Sequence, residues 1–413
     1  MGQVSAAGVP PLVDYEDVSW FRDEPEAARG AAAALGRRIG LGEHRTAELV
    51  LAVAELATNM RRHAVDGSLL LRVVRTSVTA GVEVVVVDGG PGIVDVAEAL
   101  RDGVSSEGTL GIGLGAVRRL ADVFDIHSRP GQGTVQLARF WQAAERPRPG
   151  AAEPAVGGVT RPISGEQVCG DAWATRTDLA DDAQDAREAG GARPQAPEPP
   201  PAQAVNDWAA LTGIQHRPGT ATSALSAATS RRASRAVPVP SAVAGRGPAV
   251  LVMLCDGLGH GPMAALAGQS AVQAFRSGTS RLPEQIMEQL HKALRGTRGA
   301  AVAVARVEPE NGRLLFCGVG NITAALVTRD SRHSLLSQPG IVGHQMHQLR
   351  TYEHRLPPFG ALVLHSDGLN ERWTAQDLAG LLPHAPTVVA AGLLRMAGTR
   401  RDDASVVVTK ELW

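Results

Sequence analysis

Hydrophobic positions recur along the chain in two rhythms, and each change of rhythm marks an element. From Glu24 to Ile39 the residues Ala27, Ala31, Ala34, Leu35 and Ile39 keep helical spacing, and Gly40-Leu41-Gly42 should end that helix. His44 to His63 predicts a second, stronger helix, with Ala47, Leu51, Ala54 and Ala57 or Thr58 on its inward face. Leu69–Thr76 and Val82–Val87 alternate or run apolar, as an antiparallel hairpin turning at Thr79-Ala80-Gly81 would. Val94–Leu100 and Ala116–Ala121 suit short helices, and Thr134–Trp141 suits a closing strand. Residues 1–20 carry neither rhythm and read as an irregular lead-in.

The pattern resumes at Ala249–Gly261, AVLVMLCDGLGHG, where a run apolar enough for a fully buried strand stops at an acid and three glycines. Gly261–Phe275 predicts a helix with Met263, Leu266, Ala267 and Val272 inward, and Pro283–Leu294 predicts another. Ala300–Val307 and Leu314–Val319 should pair through Pro309-Glu310-Asn311-Gly312, where Asn-Gly is a strong hairpin signal. Thr323–Val327, Leu335–Gln338, His354–Leu356 and Ala361–Leu364 continue the strand pattern. Leu378–Leu382 and Pro386–Met396 supply helix before a last strand, Val406–Thr409. This order predicts an α/β/β/α sandwich for the second half, and a two-domain α/β chain overall. Between the halves, residues 142–160 are rich in Pro, Gly and Ala and read as a linker. Residues 176–246 lack the apolar content for a packed core and read as a disordered insertion.

Composition narrows the possibilities. With 413 residues the chain can hold two cores, and a net charge of -1 gives no electrostatic argument for nucleic acid or a membrane surface. No apolar run approaches the roughly 20 residues that span a bilayer, and the N-terminus has no basic-then-apolar leader pattern. Cys169, Cys255 and Cys317 have no metal-ligand spacing and suit a reducing cytoplasm. Lys292 and Lys410 are the only lysines, and neither lies in a Walker loop or a protein-kinase motif, so any ATP site must be of another type.

Three polar features stand out in the first half. Glu55 and Asn59 sit four residues apart on one side of a helix. Asp88-Gly89-Gly90-Pro91-Gly92 ends a strand. Gly108-Thr109-Leu110-Gly111-Ile112-Gly113-Leu114-Gly115 opens onto a helix N-terminus, where backbone amides can face an anion. With Gly133-Thr134, these resemble the nucleotide-binding boxes of the GHKL ATPase/kinase superfamily, most closely the RsbT-type switch kinases, over residues 10–141. The resemblance implies a GHKL (Bergerat) α/β sandwich that binds ATP. It would have Asn59 holding Mg²⁺ and Glu55 acting as, or orienting, the general base. Asp88 would receive the adenine amino group, and Gly90, Gly92, Gly108, Gly111, Gly113, Gly115 and Thr134 would surround the nucleotide. A carboxylate base beside a metal and backbone amides is coherent phosphoryl-transfer chemistry.

In the second half, acids recur beside strand-like runs: Gly170-Asp171, Asp256-Gly257, His365-Ser366-Asp367-Gly368 and Asp402-Asp403, with Gly318-Val319-Gly320-Asn321 between them. This series resembles the metal-dependent PPM-type protein phosphatases, nearest the SpoIIE and RsbX branch, within a domain expected to span 161–413. It implies a two-metal centre of Mn²⁺ or Mg²⁺ on Asp171, Asp256, the Gly257 carbonyl, Asp367 and Asp402. Asp402 and Asp403 are neighbours that spacing alone does not separate. The insertion also places Asp171 far from Asp256 in sequence. His260 could hold a phosphate or cap the following helix, and the cap is the expectation. His365 is expected to be structural rather than a general acid.

Together the resemblances imply a serine/threonine switch kinase fused to a metal-dependent phosphatase. Both would act on STAS-type phosphoproteins in a stress or sigma-factor partner-switching pathway. The alternative is a nucleotide-bound N-terminal module that sequesters or activates a partner such as an anti-sigma or sigma factor, leaving phosphatase as the only activity.

Overall fold

In a computed structural model, the described residues are 14–22, 27–76, 79–101, 113–142, 154–178, 237–238 and 248–410. The first sheet has the order β1-β2-β3-β5-β4 and is antiparallel throughout. Its strands are β1 (Asp14–Phe21), β2 (Ser68–Arg75), β3 (Ala80–Asp88), β4 (Val123–Ser128) and β5 (Thr134–Trp141). Alternate residues of these strands, among them Leu69, Leu71, Val84, Val86 and Phe140, face α1 (Ala27–Arg38), α2 (Glu43–His63) and α4 (Gly113–Leu120) in one core. A short α3 (Val96–Ala99) follows the Asp88 box, its first turn capped by the Asp95 side chain.

Two expectations change here. From Asp14 the expected lead-in is a strand, its residues 1–13 lying outside the described residues: β1 carries polar residues, and its register with β2, Asp14↔Arg75 through Phe21↔Leu69, holds it in place. The inward face of α2 is Leu49, Ala52, Val53, Leu56, Ala57 and Met60, whereas Leu51 is half-exposed. The buried Arg45 belongs to that face because its guanidinium meets Asp122, Glu48 (2.6 Å) and the Leu120 carbonyl (2.5 Å).

The second half is two sheets. One holds β7 (Asp171–Asp178), β9 (Ala249–Gly257), β10 (Ala300–Glu308), β11 (Arg313–Val319), β17 (Tyr352–Arg355) and β8 (Val237–Pro238) in that order. β14 (Ser337–Gln338) pairs with β11, beside the small hairpin β15 (Gly340–Ile341) and β16 (Gln345–Met346). The other sheet runs β13 (Arg332–Leu335), β12 (Thr323–Val327), β18 (Ala361–His365), β19 (Ala404–Lys410) and β6 (Val156–Arg161). Val250, Val252, Leu254, Ala303, Leu314 and Phe316 of the first interdigitate with Ala324, Leu326, Leu362, Leu364 and Val407 of the second. Helices α5 (Pro262–Ser277) and α6 (Pro283–Ala293) cover the outer face of the first sheet. α7 (Ala375–Leu378) and α8 (Pro386–Ala397) lie on the outer face of the second. The expected α/β/β/α sandwich is present.

Several particulars differ from the sequence reading. Residues 156–160, inside the expected linker, form β6 and pair with β19. Its glycines suit tight quarters: a Cβ on Gly157 would lie 2.6 Å from the Thr387 amide, and one on Gly158 would lie 2.9 Å from Trp173. β7 extends to Asp178, and most of the expected insertion, 179–236 and 239–246, lies outside the described residues. On α5, Met263 and Leu266 point outward. The face against the sheet is Ala264, Ala267, Gly268, Ala271 and Phe275, because the helix runs so close that a Cβ on Gly268 would sit 2.8 Å from the Gly170 carbonyl.

Helix α8 packs on two sheets at once. One apolar core contains Val388, Val389, Leu393 and Leu394 of α8, Val159, Val363, Val406 and Val408 of the second-half sheet, and Leu70, Val85, Val87, Val135 and Leu137 of the first. On the same face of the first sheet, Arg72, Glu83 and Arg139 lie opposite one another on three adjacent strands and are fully buried. Glu83 accepts from both guanidiniums. Arg72 also donates to the Gly158 carbonyl at 2.6 Å and to Thr387 Oγ1 at 3.2 Å, and it lies 4.0 Å from the Tyr15 ring centroid. Burial alone would raise the Glu83 pKa, but Arg72 and Arg139 hold it below the usual carboxylate range.

Candidate active sites

The second-half site forms where three strand ends and one loop meet. β7 and β9 run antiparallel with Asp171 directly opposite Asp256, so the intervening sequence does not keep these carboxylates apart. Asp367 follows β18, and Asp402 precedes β19, which pairs with β18. Asp171 is buried, and burial, followed by the charges of Asp403 and Asp367, pushes its pKa up to about 7 despite hydrogen bonds from Ser366 and Ser405. Asp256 is pushed well above the ordinary range by burial and then by Asp171, Asp367 and Asp402. Asp367 is raised by burial and by Asp402. Asp256 thus lies within electrostatic reach of both Asp171 and Asp367. Among the described residues, no three His, Cys, Asp or Glu side chains close on one point as a finished metal cage.

Chemically, this is an acceptor-only cluster whose members disfavour one another's ionisation. Asp171 Oδ1 is buried without a hydrogen-bond partner. Four acids, one of them with an orphaned oxygen, fit a hard divalent cation, which would relieve the repulsion. Gly257 has no room for a side chain, since a Cβ would sit 2.5 Å from the Ala264 carbonyl and 2.9 Å from the Gly170 carbonyl.

Asp403 is differently employed. Its two oxygens accept from the amides of Ile163 and Gly170, each at 2.7 Å, and so strap the lead-in of β7 to β19. Asp402 is the one of the pair that acts on Asp256 and Asp367. Three further residues support the acids without any local signal in the sequence. Ser405 Oγ donates to Asp171 Oδ2 at 2.7 Å, Ser366 joins it, and Asn321 donates to Asp367 Oδ2 at 2.6 Å. His365 is structural, as expected. Trp373 Nε1 donates to its Nε2 at 3.2 Å, its Nδ1 lies 2.8 Å from the Ser366 carbonyl, and burial lowers its pKa to about 4. His260 does not cap α5, which has no side-chain cap; it lies 3.3 Å from Glu166.

In the first half, Asn59 donates to Glu55 at 3.3 Å across one turn of α2, both half-buried. One turn further, the end of α2 meets the Asp88 box: Gly89 donates to the Val65 carbonyl at 2.8 Å, and a Cβ on Gly90 would lie 2.6 Å from the His63 carbonyl. Burial raises the Asp88 pKa against hydrogen bonds from the Gly90 and Thr134 amides. Gly92 and Gly133 both have positive φ and abut backbone that any side chain would strike. Thr134 Oγ1 bonds Ser128 at 2.9 Å. Gly113 and Gly115 open α4, which packs on α2; Gly108 and Gly111 lie outside the described residues.

This geometry has relatives. Residues 22–139 match the histidine kinase-like ATPase domain family. Over 115 residues, 28% of this chain and 86% of the relative, the chain is 35% identical to the serine/threonine-protein kinase RsbT of Bacillus subtilis (strain 168). The chain belongs to the RsbT family. Its second half matches the stage II sporulation protein E (SpoIIE) family over residues 246–410. That half is 23% identical to the phosphoserine phosphatase RsbX of Bacillus subtilis (strain 168) over 163 residues, 38% of this chain and 79% of the relative. A crystal structure of RsbX in complex with magnesium covers 62% of this chain and 94% of its own at 16% identity and a TM-score of 0.41, too loose to carry positions across. This RsbT-family chain is thus a fusion of a serine/threonine switch-kinase module with a SpoIIE-type protein phosphatase module. ATP and a divalent metal are the cofactors these families imply. No helix among the described residues is long and apolar enough to cross a membrane.

Proposed function

We infer that the chain adds phosphate to, and removes it from, serine or threonine of STAS-type regulatory phosphoproteins in a partner-switching pathway. The observation that carries the phosphatase half is the neighbourhood of Asp171, Asp256, Asp367 and Asp402, which raise one another's pKa, with one buried oxygen left unsatisfied. Asp171, Asp256, the Gly257 carbonyl, Asp367 and Asp402 would hold Mn²⁺ or Mg²⁺. When bound, two such cations would neutralise the phosphoryl group and acidify a water for in-line attack. The chain's own work is positional. Ser405 and Ser366 fix Asp171, Asn321 pins Asp367, and Asp403 ties β7 to β19 so that Asp171 stays opposite Asp256. His365, with both ring nitrogens engaged and its pKa lowered, is not the proton donor to the leaving hydroxyl.

In the kinase half, Glu55 would take the proton from the attacking hydroxyl, and Asn59 would place Mg²⁺ on the ATP phosphates. Asp88 would accept from the adenine amino group, and Gly90, Gly92, Gly113, Gly115 and Thr134 would leave room for the nucleotide. The test uses radiolabelled ATP and a STAS-domain protein. Label should transfer to the STAS protein, and transfer unaffected by Asn59→Ala would overturn the kinase half. Phosphate release that persists after Asp256→Ala and Asp367→Ala would overturn the phosphatase half.

A further inference from the structure

Two opposing activities on one hydroxyl would cycle without net effect unless one site senses the other, and the fold contains a continuous mechanical link between them. The Asp88 box is buttressed by the β4–β5 turn: Gly131 donates to the Pro91 carbonyl at 2.7 Å and Ile93 to Ser128 Oγ at 2.8 Å. β4 then reaches α8. Asp125 accepts from the Ala385 amide at 2.8 Å, at the N-cap of the helix, and lies 2.7 Å from His384 Nδ1. At the other end of α8, the Ala397 carbonyl accepts from the Asn370 amide at 2.9 Å and from its side chain at 2.8 Å. Thr399 donates to the Gly368 carbonyl at 2.7 Å, directly beside Asp367. A second strand of the link returns to the nucleotide side: Arg400 pairs with Asp66 at 3.3 Å, next to the Val65 carbonyl that holds Gly89, and Arg395 of α8 acts electrostatically on Asp88. Helix α8 is therefore capped at its N-terminus by the nucleotide-binding sheet and at its C-terminus by the loop that carries a metal-ligand candidate.

We propose that α8 is a strut through which adenine nucleotide in the first site changes the divalent-cation affinity of the phosphatase site. This rests on the reading of the Asp88 box as a nucleotide site. Because such coupling is reciprocal, cation in the second site changes nucleotide affinity by the same factor. The apolar core that α8 shares with both sheets makes it more costly to tilt the helix against one sheet alone than to move it as a body.

The test uses the full chain and ADP, at fixed free Mn²⁺. ADP affinity is measured by calorimetry, Mn²⁺ affinity by titration with and without ADP, and amide hydrogen exchange over 367–370 and 397–400 with and without ADP. Saturating ADP should shift Mn²⁺ affinity by at least about 5-fold and change exchange at Asn370 and Thr399. In Asp125→Ala and Arg400→Glu, which leave both candidate sites intact, ADP and Mn²⁺ should each still bind while the shift falls towards unity. ADP that binds with no change in Mn²⁺ affinity or in exchange overturns the strut and leaves the nucleotide reading standing. A shift retained in both variants also overturns the strut. No ADP binding overturns the nucleotide reading and the strut with it.

Discussion

Asp171→Asn should move stability in opposite directions with and without metal. With its pKa moved from 3.8 to about 7, holding Asp171 ionised at about pH 8 costs the folded, metal-free protein about 4 kcal/mol. Asparagine removes that charge, and its side-chain oxygen can still accept from Ser405. Its NH₂ group then occupies the place of the unpartnered Oδ1, at a cost of about 1–3 kcal/mol. The net expectation is a gain of about 1–3 kcal/mol in EDTA. The sign with pH follows. Because the folded pKa is raised, the unfavourable contribution is absent below about 4, grows as pH rises and is complete above about 7, so wild-type stability in EDTA falls across that window. The variant should lack this part of the slope. With Mn²⁺ at 100 times its Kd, wild type gains about 2.7 kcal/mol by mass action, and the variant should gain little. Urea denaturation followed by tryptophan fluorescence, in EDTA and in Mn²⁺ at several pH values, measures all four quantities. A variant less stable than wild type in EDTA, or one fully stabilised by Mn²⁺, would refute the placement of Asp171 in a cation site.

Other substitutions separate residues that look alike. Asp402→Asn should abolish metal-dependent phosphate release while the fold survives. Asp403→Asn instead loosens the strap to Ile163 and Gly170, so it should lower the melting temperature even in EDTA; equal melting temperatures for the two would contradict this division. Glu83→Ala leaves Arg72 and Arg139 buried without their carboxylate and should cost about 3–5 kcal/mol, against which a change below about 1 kcal/mol in urea would count. His127, next to His384 at 3.3 Å and facing Asp125, Arg129 and Arg395, has its pKa lowered from 6.5 to about 4 by burial and those cations. The full shift corresponds to about 3 kcal/mol, and solvent screening of a half-exposed ring leaves on the order of 1 kcal/mol. Stability from this contact is complete above about pH 6.5 and is lost as pH falls towards 4. His127→Gln should flatten that part of the acid limb, and an unchanged limb would count against the contact.

Elements whose stability comes from their own apolar pattern were legible in the sequence. The runs Val82–Val87, Ala249–Cys255 and Ala300–Val307 are strands because both faces are buried, and a continuous apolar stretch is what that requires. β1 and β6 were not legible because partners define them: one is polar and the other glycine-rich, and each is held by the register of a neighbour. Helix faces were misread where the inward side is small rather than hydrophobic. On α5 the sheet is too close for Met263 or Leu266, so the larger apolar residues point out. In the site, the acids announced themselves through glycines and strand ends, but their supports did not. Ser405 reaches Asp171 across 234 residues and Ser366 across 39, separations that no local pattern encodes.

The position of α8 also bears on whether the fusion can be taken apart. A cut between residues 142 and 154 would leave the kinase-like sheet with Leu70, Val85, Val87, Val135 and Leu137 facing water around a newly hydrated Arg72-Glu83-Arg139 row. The phosphatase half would keep the helix and expose the face of it that met that sheet. Each fragment would carry an apolar surface of the kind that drives aggregation. The two catalytic modules are then one folding unit by construction, and substitutions in α8 must satisfy two sheets that hold different sites.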